Sequence, residues 1–155
     1  MLSVNLAMIF AENGKKVCLL DLDLCAPSLS STFTNHSYNW VNDYLNKACT
    51  PDNILTECTP NYVKSGQLFV GLADPSTKAI REMSSNGRKW ELEALGRILW
   101  LKNTLLNDMG FDYVVCDSST GFQYFANQRD FGSRCGASSN FDRQIVCGMN
   151  TEDDK

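Results

Sequence analysis

The sequence has little of what marks several common protein classes. Its longest apolar stretches, such as 17–20 and 113–116, are far too short to cross a bilayer, so we expect no membrane segment. The formal net charge of −4 provides no basic field for phosphate backbones, so we expect no nucleic-acid partner. Among seven cysteines and one histidine there is no C-x-x-C pair and no spacing typical of zinc ligands.

The cysteines and the N-terminus also bear on the compartment. The cysteine count is odd, and Cys18 and Cys116 lie inside apolar runs, which favours free thiols that behave as small apolar side chains. No basic stretch followed by an apolar core and small cleavage residues opens the chain, so no secretion signal is expected. These features predict a cytoplasmic protein. The length of 155 residues leaves room for about one domain.

The first part of the chain predicts a helix and then a strand that ends in acids. Apolar spacing predicts a largely buried helix over 3–13, closed by Gly14. The apolar run at 17–20 predicts a strand buried on both faces and hence parallel to its neighbours. Asp21 and Asp23 follow at the carboxyl end, where open α/β sheets bind ligands. Solvated loop acids, or an acid that caps the next helix, are the alternative.

The second part repeats this pattern. A helix over 90–109, closed by Gly110, leads into a buried strand at 111–117 that ends in Asp117, and small residues follow. The alternation predicts an α/β fold with a parallel sheet, and two acids at neighbouring strand ends suit Mg²⁺. For Asp117 alone, a turn-initiating role is the alternative. In the middle of the chain, the pattern predicts helices over 38–48, capped by Ser37 or Asn39, and over 77–83. It also predicts a strand over 67–73 and a loop over 50–66 with a short strand near Ile54. Core positions are expected for Trp40, Trp90 and Trp100.

Several segments, taken in order, resemble the MinD/ParA/Mrp family of P-loop ATPases. They are S-V-N-L-A at 3–7, the strand at 17–20, D-x-D-x-x-x-P-S at 21–28 and F-D-Y-V-V-C-D at 111–117. The D-x-D-x-x-x-P-S segment is closest to the Mrp-like iron–sulfur scaffold branch, whereas the long helix that feeds the last strand is closer to MinD-like ATPases. The resemblance covers roughly residues 3–126.

The resemblance implies roles for three acids and a pair of cofactors. Asp23 would be the catalytic acid that positions the attacking water beside the magnesium. Asp21 would be its neighbour in the cofactor site, and Asp117 would be the Walker B acid that holds a magnesium-bound water. Asp23 and Asp117 would thus form the metal side of a site for ATP and Mg²⁺. The implied activity of the parent protein is ATP hydrolysis that drives a dimerisation switch.

The defining motif of that family, K-G-G-x-G-K-[ST], does not occur in this sequence. Its glycines let backbone N–H groups surround the phosphates, and its lysines neutralise their charge. Relatives carry S-V-N-L-A a few residues after the phosphate-binding lysine, so Met1 falls about where the motif would end. The resemblance therefore implies an incomplete P-loop NTPase-type three-layer fold with a mostly parallel sheet, whose first strand and phosphate loop are missing and whose ATP hydrolysis is impaired.

The region after residue 126 departs from the family pattern. Residues 127–140 show neither the periodicity of a helix nor that of a strand. Among the codons that could encode this segment, some would, when read one nucleotide forward, encode the start of a helix and an apolar strand. We hypothesise a locally frame-shifted stretch, which the DNA sequence would test; an ordinary polar loop is the alternative. We therefore divide the chain into a partial ATPase domain, 1–126, and an irregular segment, 127–155. Loss of that strand predicts a marginally stable domain with an exposed sheet edge.

Two functions from different classes are consistent with these features. The first is a truncated MinD/ParA-like ATP-binding protein. The second is a non-enzymatic pseudo-ATPase or binding module, which forms a homodimer or pairs with an intact relative through the exposed sheet edge. A weaker third reading is a receiver-like domain with Asp21 and Asp23 as an acid pair, but no convincing lysine follows the last strands. The acidic tail at 151–155 is not a basic membrane helix, and no cysteine pair matches the cluster ligands of the scaffold branch.

Overall fold

A five-stranded sheet forms the centre of the molecule. The computed structural model describes residues 2–34 and 39–118 and the backbone of 144–149. The sheet order is β2-β3-β1-β4-β5, with β1 parallel to both β3 and β4 and with both edge strands antiparallel. The predicted α/β class is confirmed, and its parallel part comprises the three central strands. The strands are β1 (Lys16–Asp21), β2 (Thr56–Glu57), β3 (Gln67–Gly71), β4 (Tyr113–Asp117) and β5 (Gln144–Met149).

Helices cover both faces of this sheet. The first helix packs on one face, and the other three contribute side chains to the apolar cluster on the opposite face. The longest helix continues as a five-residue π-helical turn, Thr104–Asp108, and Gly110 then turns the chain with a φ of 67°. The helices are α1 (Leu2–Glu12), α2 (Val41–Leu45), α3 (Thr77–Ser85) and α4 (Arg88–Asn103).

The central strand β1 is buried on both faces, as predicted. Val17 and Leu19 belong to the apolar cluster beneath α1, whereas Cys18 and Leu20 belong to the cluster beneath α4. All four side chains are at most 1% exposed. Successive residues of a strand point to opposite faces, so only a strand that is covered by helices on both sides needs four apolar residues in a row.

The helix α1 lies where the sequence predicts it, but the prediction that it is largely buried is wrong. Its buried positions form one stripe, Ser3, Ala7 and Ala11, while Ile9 is 52% exposed. The helix has the sheet on one side and no further layer of the described residues over the other. Its last turn packs so closely on Gly66 that a Cβ there would overlap the Ala11 carbonyl oxygen.

The middle of the chain differs in its element boundaries. The helix predicted over 38–48 is only α2, and its N-cap residue is Trp40, whose N–H donates to the Asp43 carboxylate at 2.8 Å. The predicted cap Ser37 lies outside the described residues. The predicted loop contains a 3₁₀ turn, Pro51–Ile54, and the two-residue strand β2. The helix predicted over 90–109 is divided between α4 and the π-helical turn.

Beyond Ser118, the structure describes only the backbone of β5. This strand pairs antiparallel with β4, so the outer edge of β4 is not exposed along this stretch, in contrast to the prediction. The proposed boundary at 126/127 and the frame-shift hypothesis for 127–140 lie outside the described residues. Within the described part of the chain, no helix is long and apolar enough to span a membrane.

Candidate functional site

The strands β1 and β4 bring two of the predicted acids together. Asp21 and Asp117 are the last residues of these strands and are register partners in the parallel ladder. The next residue, Leu22, continues the pairing, because its N–H donates to the Asp117 carbonyl at 2.6 Å. The two acids therefore lie side by side at the carboxyl edge of the sheet, which is the edge where open α/β sheets bind ligands.

Both acids also belong to the face of the sheet that α1 covers. Leu19 and Val115, two residues before the acids, are in the cluster beneath α1, and side chains two apart in a strand share a face. Because α1 ends at the turn into β1 and packs back along β1, β3 and β4, its first turn lies towards the carboxyl edge. Ser3 begins the buried stripe of that helix, so a hydroxyl group lies on the same face as the two carboxylates.

Asp21 is a fully buried acid whose charge is disfavoured. Its side chain is 0% exposed, and burial raises its pKa from 3.8 to about 7. Its Oδ1 accepts from the Asp23 N–H at 3.1 Å and its Oδ2 accepts from the Leu29 N–H at 3.3 Å, and these bonds oppose the rise in pKa. The charges of Asp117 and Asp23 add to it. Near neutral pH, the carboxyl group is therefore close to its titration midpoint.

The hydrogen bonds of Asp21 also have a structural meaning. Leu29 opens the 3₁₀ turn Leu29–Ser31, so Asp21 holds the start of that turn as well as the backbone of Asp23. This is the alternative that the sequence left open, an acid that caps the following helical turn. Asp21 thus shapes the loop over 22–28, and any ligand role comes in addition to that.

Asp23, the predicted catalytic acid, lies in this loop and is half-buried. Its Oδ1 accepts from the Ala26 N–H at 3.1 Å, a hydrogen bond that tightens the loop. The loop is therefore folded on its own backbone by two carboxylates, Asp21 and Asp23. One oxygen of Asp23 is engaged in this way, and the chemistry of the group leaves the second as an acceptor for water or metal.

A metal centre made only of protein ligands is not present in the part of the chain that the structure describes. No group of three or more histidine, cysteine or acidic side chains there could hold an ion. Magnesium does not require one, because it often keeps several waters and binds one or two carboxylates. The donor set of Asp23 and Asp117 fits that mode, so the Mg²⁺ site remains a prediction. The cysteines that the structure describes are free thiols: Cys18, Cys25, Cys49, Cys58 and Cys116.

Two features of the structure were missed by the sequence analysis. The Ser3 Oγ is buried and has no hydrogen-bond partner among the described residues. Trp100, which was expected in the core, is 57% exposed. It lines a surface groove of about 220 Å³ between α2 and α4, together with Tyr44, Lys47, Glu93, Gly96 and Arg97. The sequence carried one signal for the groove, a glycine one helical turn before an aromatic residue.

The comparisons with known proteins leave the family open. No family model matches the chain, and a search of curated proteins finds no match. The likeness to MinD/ParA/Mrp ATPases therefore depends on the segments quoted from the sequence and stays a prediction.

Proposed function

We propose that the carboxyl edge of the sheet is the metal-facing half of a nucleotide site, and that the chain is an ATP-binding protein of the MinD/ParA type. One observation carries the proposal: Asp21 and Asp117 end neighbouring parallel strands as register partners, on the face that α1 covers. An ionised carboxylate at such a position destabilises the folded state unless a cation or water surrounds it. A bound Mg²⁺ would offset that cost: Asp23 and Asp117 would hold it, and it would supply positive charge for the phosphates of a nucleotide.

The three acids would have different tasks at this site. Asp117 would hold a magnesium-bound water, and Asp23 would orient the water that attacks the terminal phosphate. Asp21 would keep the loop in place through its bonds to the Asp23 and Leu29 N–H groups. The N–H groups of the first turn of α1 have no acceptor within the helix, and the Ser3 hydroxyl has no partner among the described residues, so both would favour an anion on the same side.

The missing glycine-rich loop sets the expected strength of binding. Carboxylates alone repel a triphosphate, and the sequence contains no glycine-rich loop followed by Lys-Ser or Lys-Thr that could bind the phosphates. We therefore expect these 155 residues to bind Mg·ATP weakly and to show impaired hydrolysis. A nucleotide-bound dimer and a cytoplasmic location belong to the same proposal.

The experiment compares nucleotide binding by two forms of the chain. Calorimetric titration with Mg·ATP is carried out on the 155 residues as given and on a version preceded by a strand and a K-G-G-x-G-K-[ST] loop. We expect tight binding only by the extended version. In that version, Asp117→Asn should abolish the magnesium dependence, while Asp52→Asn, at an exposed acid outside the site, should not. A folded extended version that does not bind Mg·ATP would refute the proposal.

The alternative function is a non-enzymatic binding module that pairs with an intact relative. The pairing of β4 with β5 covers the sheet edge that was first expected to supply the interface, so this function would use another surface of the chain. The two functions separate cleanly, because a binding module would pair with a relative equally well with and without Mg·ATP. Strictly Mg·ATP-dependent pairing would favour the first function.

A further inference from the structure

The exposed face of α4 carries an apolar stripe that the nucleotide proposal does not use. Leu92 is 59% exposed and Trp100 is 57% exposed, and both lie one helical turn from Gly96. A Cβ added at Gly96 would meet nothing within 4 Å, so the helix backbone is accessible there. The stripe thus has a large side chain on each side of a gap. The groove that Trp100 lines borders this stripe.

A pair of opposite charges lies beside the stripe and is held in place by neighbours. Glu93 forms an ion pair with Lys47 at 2.8 Å. The Arg97 Nε donates to the Tyr44 carbonyl at 2.8 Å, and its guanidinium lies 4.5 Å from the centre of the Tyr44 ring. Among the described residues, the terminal nitrogens of Arg97 form no further hydrogen bond. The terminal nitrogens of Arg97 can therefore donate hydrogen bonds to a carboxylate of another molecule while Arg97 keeps its present contacts.

We propose that α4 pairs antiparallel with α4 of a second copy of this chain, across a two-fold axis at Gly96. Such an axis places Leu92 of one copy level with Trp100 of the other, so that a small patch is complementary to itself. Glycine at the crossing point permits the two helices to approach closely. Trp100 then fits between four side-chain positions spaced i, i+3, i+4 and i+7 on the second copy, which are Lys89, Leu92, Glu93 and Gly96.

The charges support this occupant over an unrelated partner. In an antiparallel pair, residues on one flank of a helix face the same flank of the other. Glu93 of one copy then lies about 3 Å along the helix axis from the level of Arg97 of the second copy, the rise of two residues. The two-fold axis repeats the pair, so the interface contains two attractive contacts between Glu93 of one copy and Arg97 of the other. A parallel arrangement would instead bring like residues together at each level.

The position of the patch makes this dimer independent of nucleotide. Trp100 lies near the end of α4 that leads through the π-helical turn into the start of β4, whereas the acids lie at the far end of that strand. The patch is one helix face, which is small for an interface, so we expect micromolar or weaker affinity. Trp100 would be its anchor, because tryptophan is enriched among the residues that dominate binding energy.

The first test is sedimentation velocity over increasing protein concentration, up to several hundred micromolar. We expect the chain to shift from monomer to dimer, with no effect of Mg·ATP. Trp100→Ala should weaken the dimer at least tenfold, whereas Ile9→Ala, at a residue 52% exposed on α1, should leave it unchanged. A wild-type chain that stays monomeric throughout, or a dimer unaffected by Trp100→Ala, would overturn the proposal and leave the groove to a different partner.

The second test is a charge exchange that separates pairing from folding. Glu93→Arg alone brings four cations together across the axis, and Arg97→Glu alone brings four acids together, so each variant should be monomeric. An equimolar mixture should form a heterodimer, because every pair is then attractive. Circular dichroism and melting of each variant establish that it is folded. Folded variants that fail to associate when mixed would contradict the antiparallel arrangement.

Discussion

Replacing Asp21 by Asn should make the protein more stable at neutral and alkaline pH. The reason is that Asp21 is fully buried, and its folded-state pKa is raised from 3.8 to about 7. That difference, at about 1.4 kcal/mol per pH unit, corresponds to roughly 4 kcal/mol. Burying the charged form of Asp21 therefore costs a large part of the typical free energy of unfolding, which is about 5–15 kcal/mol.

The pH dependence of this effect has a definite sign. The folded chain binds the Asp21 proton more tightly than the unfolded chain does, so acidification favours folding. The stabilisation by the proton is fully present below pH 3.8, is lost as the pH rises through about 7 and is absent at higher pH. This is the reverse of the behaviour of an acid held in a salt bridge. Burial also raises the pKa values of Cys18, Tyr44, Cys49 and Cys58, but from ordinary values of 9.0 or 10.0, so they act only at alkaline pH.

Asparagine removes the charge but also removes one acceptor. The Asp21 oxygens receive the Asp23 and Leu29 N–H groups, and an amide has only one oxygen to accept them, which costs about 1–2 kcal/mol. Asp21→Asn should therefore gain about 2–3 kcal/mol above pH 8 and lose about 1–2 kcal/mol near pH 4, so that the two stability curves cross.

Urea unfolding at constant ionic strength between pH 4 and 8.5 measures both curves. Asp52→Asn, at an exposed acid, is the control and should follow the wild type. If Asp21→Asn were less stable than the wild type at pH 8, the charged carboxylate would be a net stabilising group and the reasoning would fail. Magnesium should reduce the difference in unfolding free energy between Asp21→Asn and the wild type at pH 8, because a cation beside Asp117 favours the ionised form of Asp21.

Three further substitutions test the packing. Gly66→Ala should destabilise the fold by about 3 kcal/mol or prevent folding, because a Cβ overlaps the Ala11 carbonyl and lies 2.7 Å from the Lys15 carbonyl oxygen; urea unfolding measures it. Ser76→Ala should cost about 1 kcal/mol in the same assay, since the Ser76 hydroxyl accepts from the Ala79 N–H at 3.2 Å at the start of α3. Gly96→Ala should raise the stability of the monomer by about 1 kcal/mol, seen as a higher melting temperature at low concentration, because the position is exposed, helical and uncrowded. An unchanged unfolding free energy for Gly66→Ala, or a lower melting temperature for Gly96→Ala, would contradict the packing around these glycines.

The part of the fold that the sequence predicts well consists of segments whose local pattern has only one physical solution. Four apolar residues between a turn and an acid specify a strand covered on both faces, and this occurs at both β1 and β4. Two such strands with a helix between them place Asp21 and Asp117 at the same edge. Their juxtaposition therefore follows from the pattern, whereas their hydrogen bonds do not, because those depend on how the loop over 22–28 closes.

The spacing of apolar residues along the long helix predicts one buried stripe, and the structure confirms it. Its members all belong to one core cluster or pack against it: Leu95, Ile98, Leu99, Leu105, Leu106 and Met109. The sequence pattern did not show that Leu92 and Trp100 are exposed, because apolar residues also occur on the side of the helix that faces away from the core. The π-helical turn adds a residue to one turn and rotates the next residues about the helix axis, so that Leu105 and Leu106 are buried as well. The periodicity did not indicate the π-helical turn itself. The edge strand β2 likewise has only two residues, too few to show a pattern.

The cost of Asp21 is the strongest reason to look for a ligand at the carboxyl edge. Holding the loop requires acceptors for the Asp23 and Leu29 N–H groups, and an uncharged side chain can serve one of them without a penalty of several kcal/mol at neutral pH. A buried acid beside a second acid is justified physically when a cation shares the site at least part of the time. If Asp21→Asn gains stability and magnesium stabilises the wild type more than this variant, the acid is retained for the cation. If magnesium stabilises neither protein, Asp21 only holds the loop, and the nucleotide proposal loses its main support.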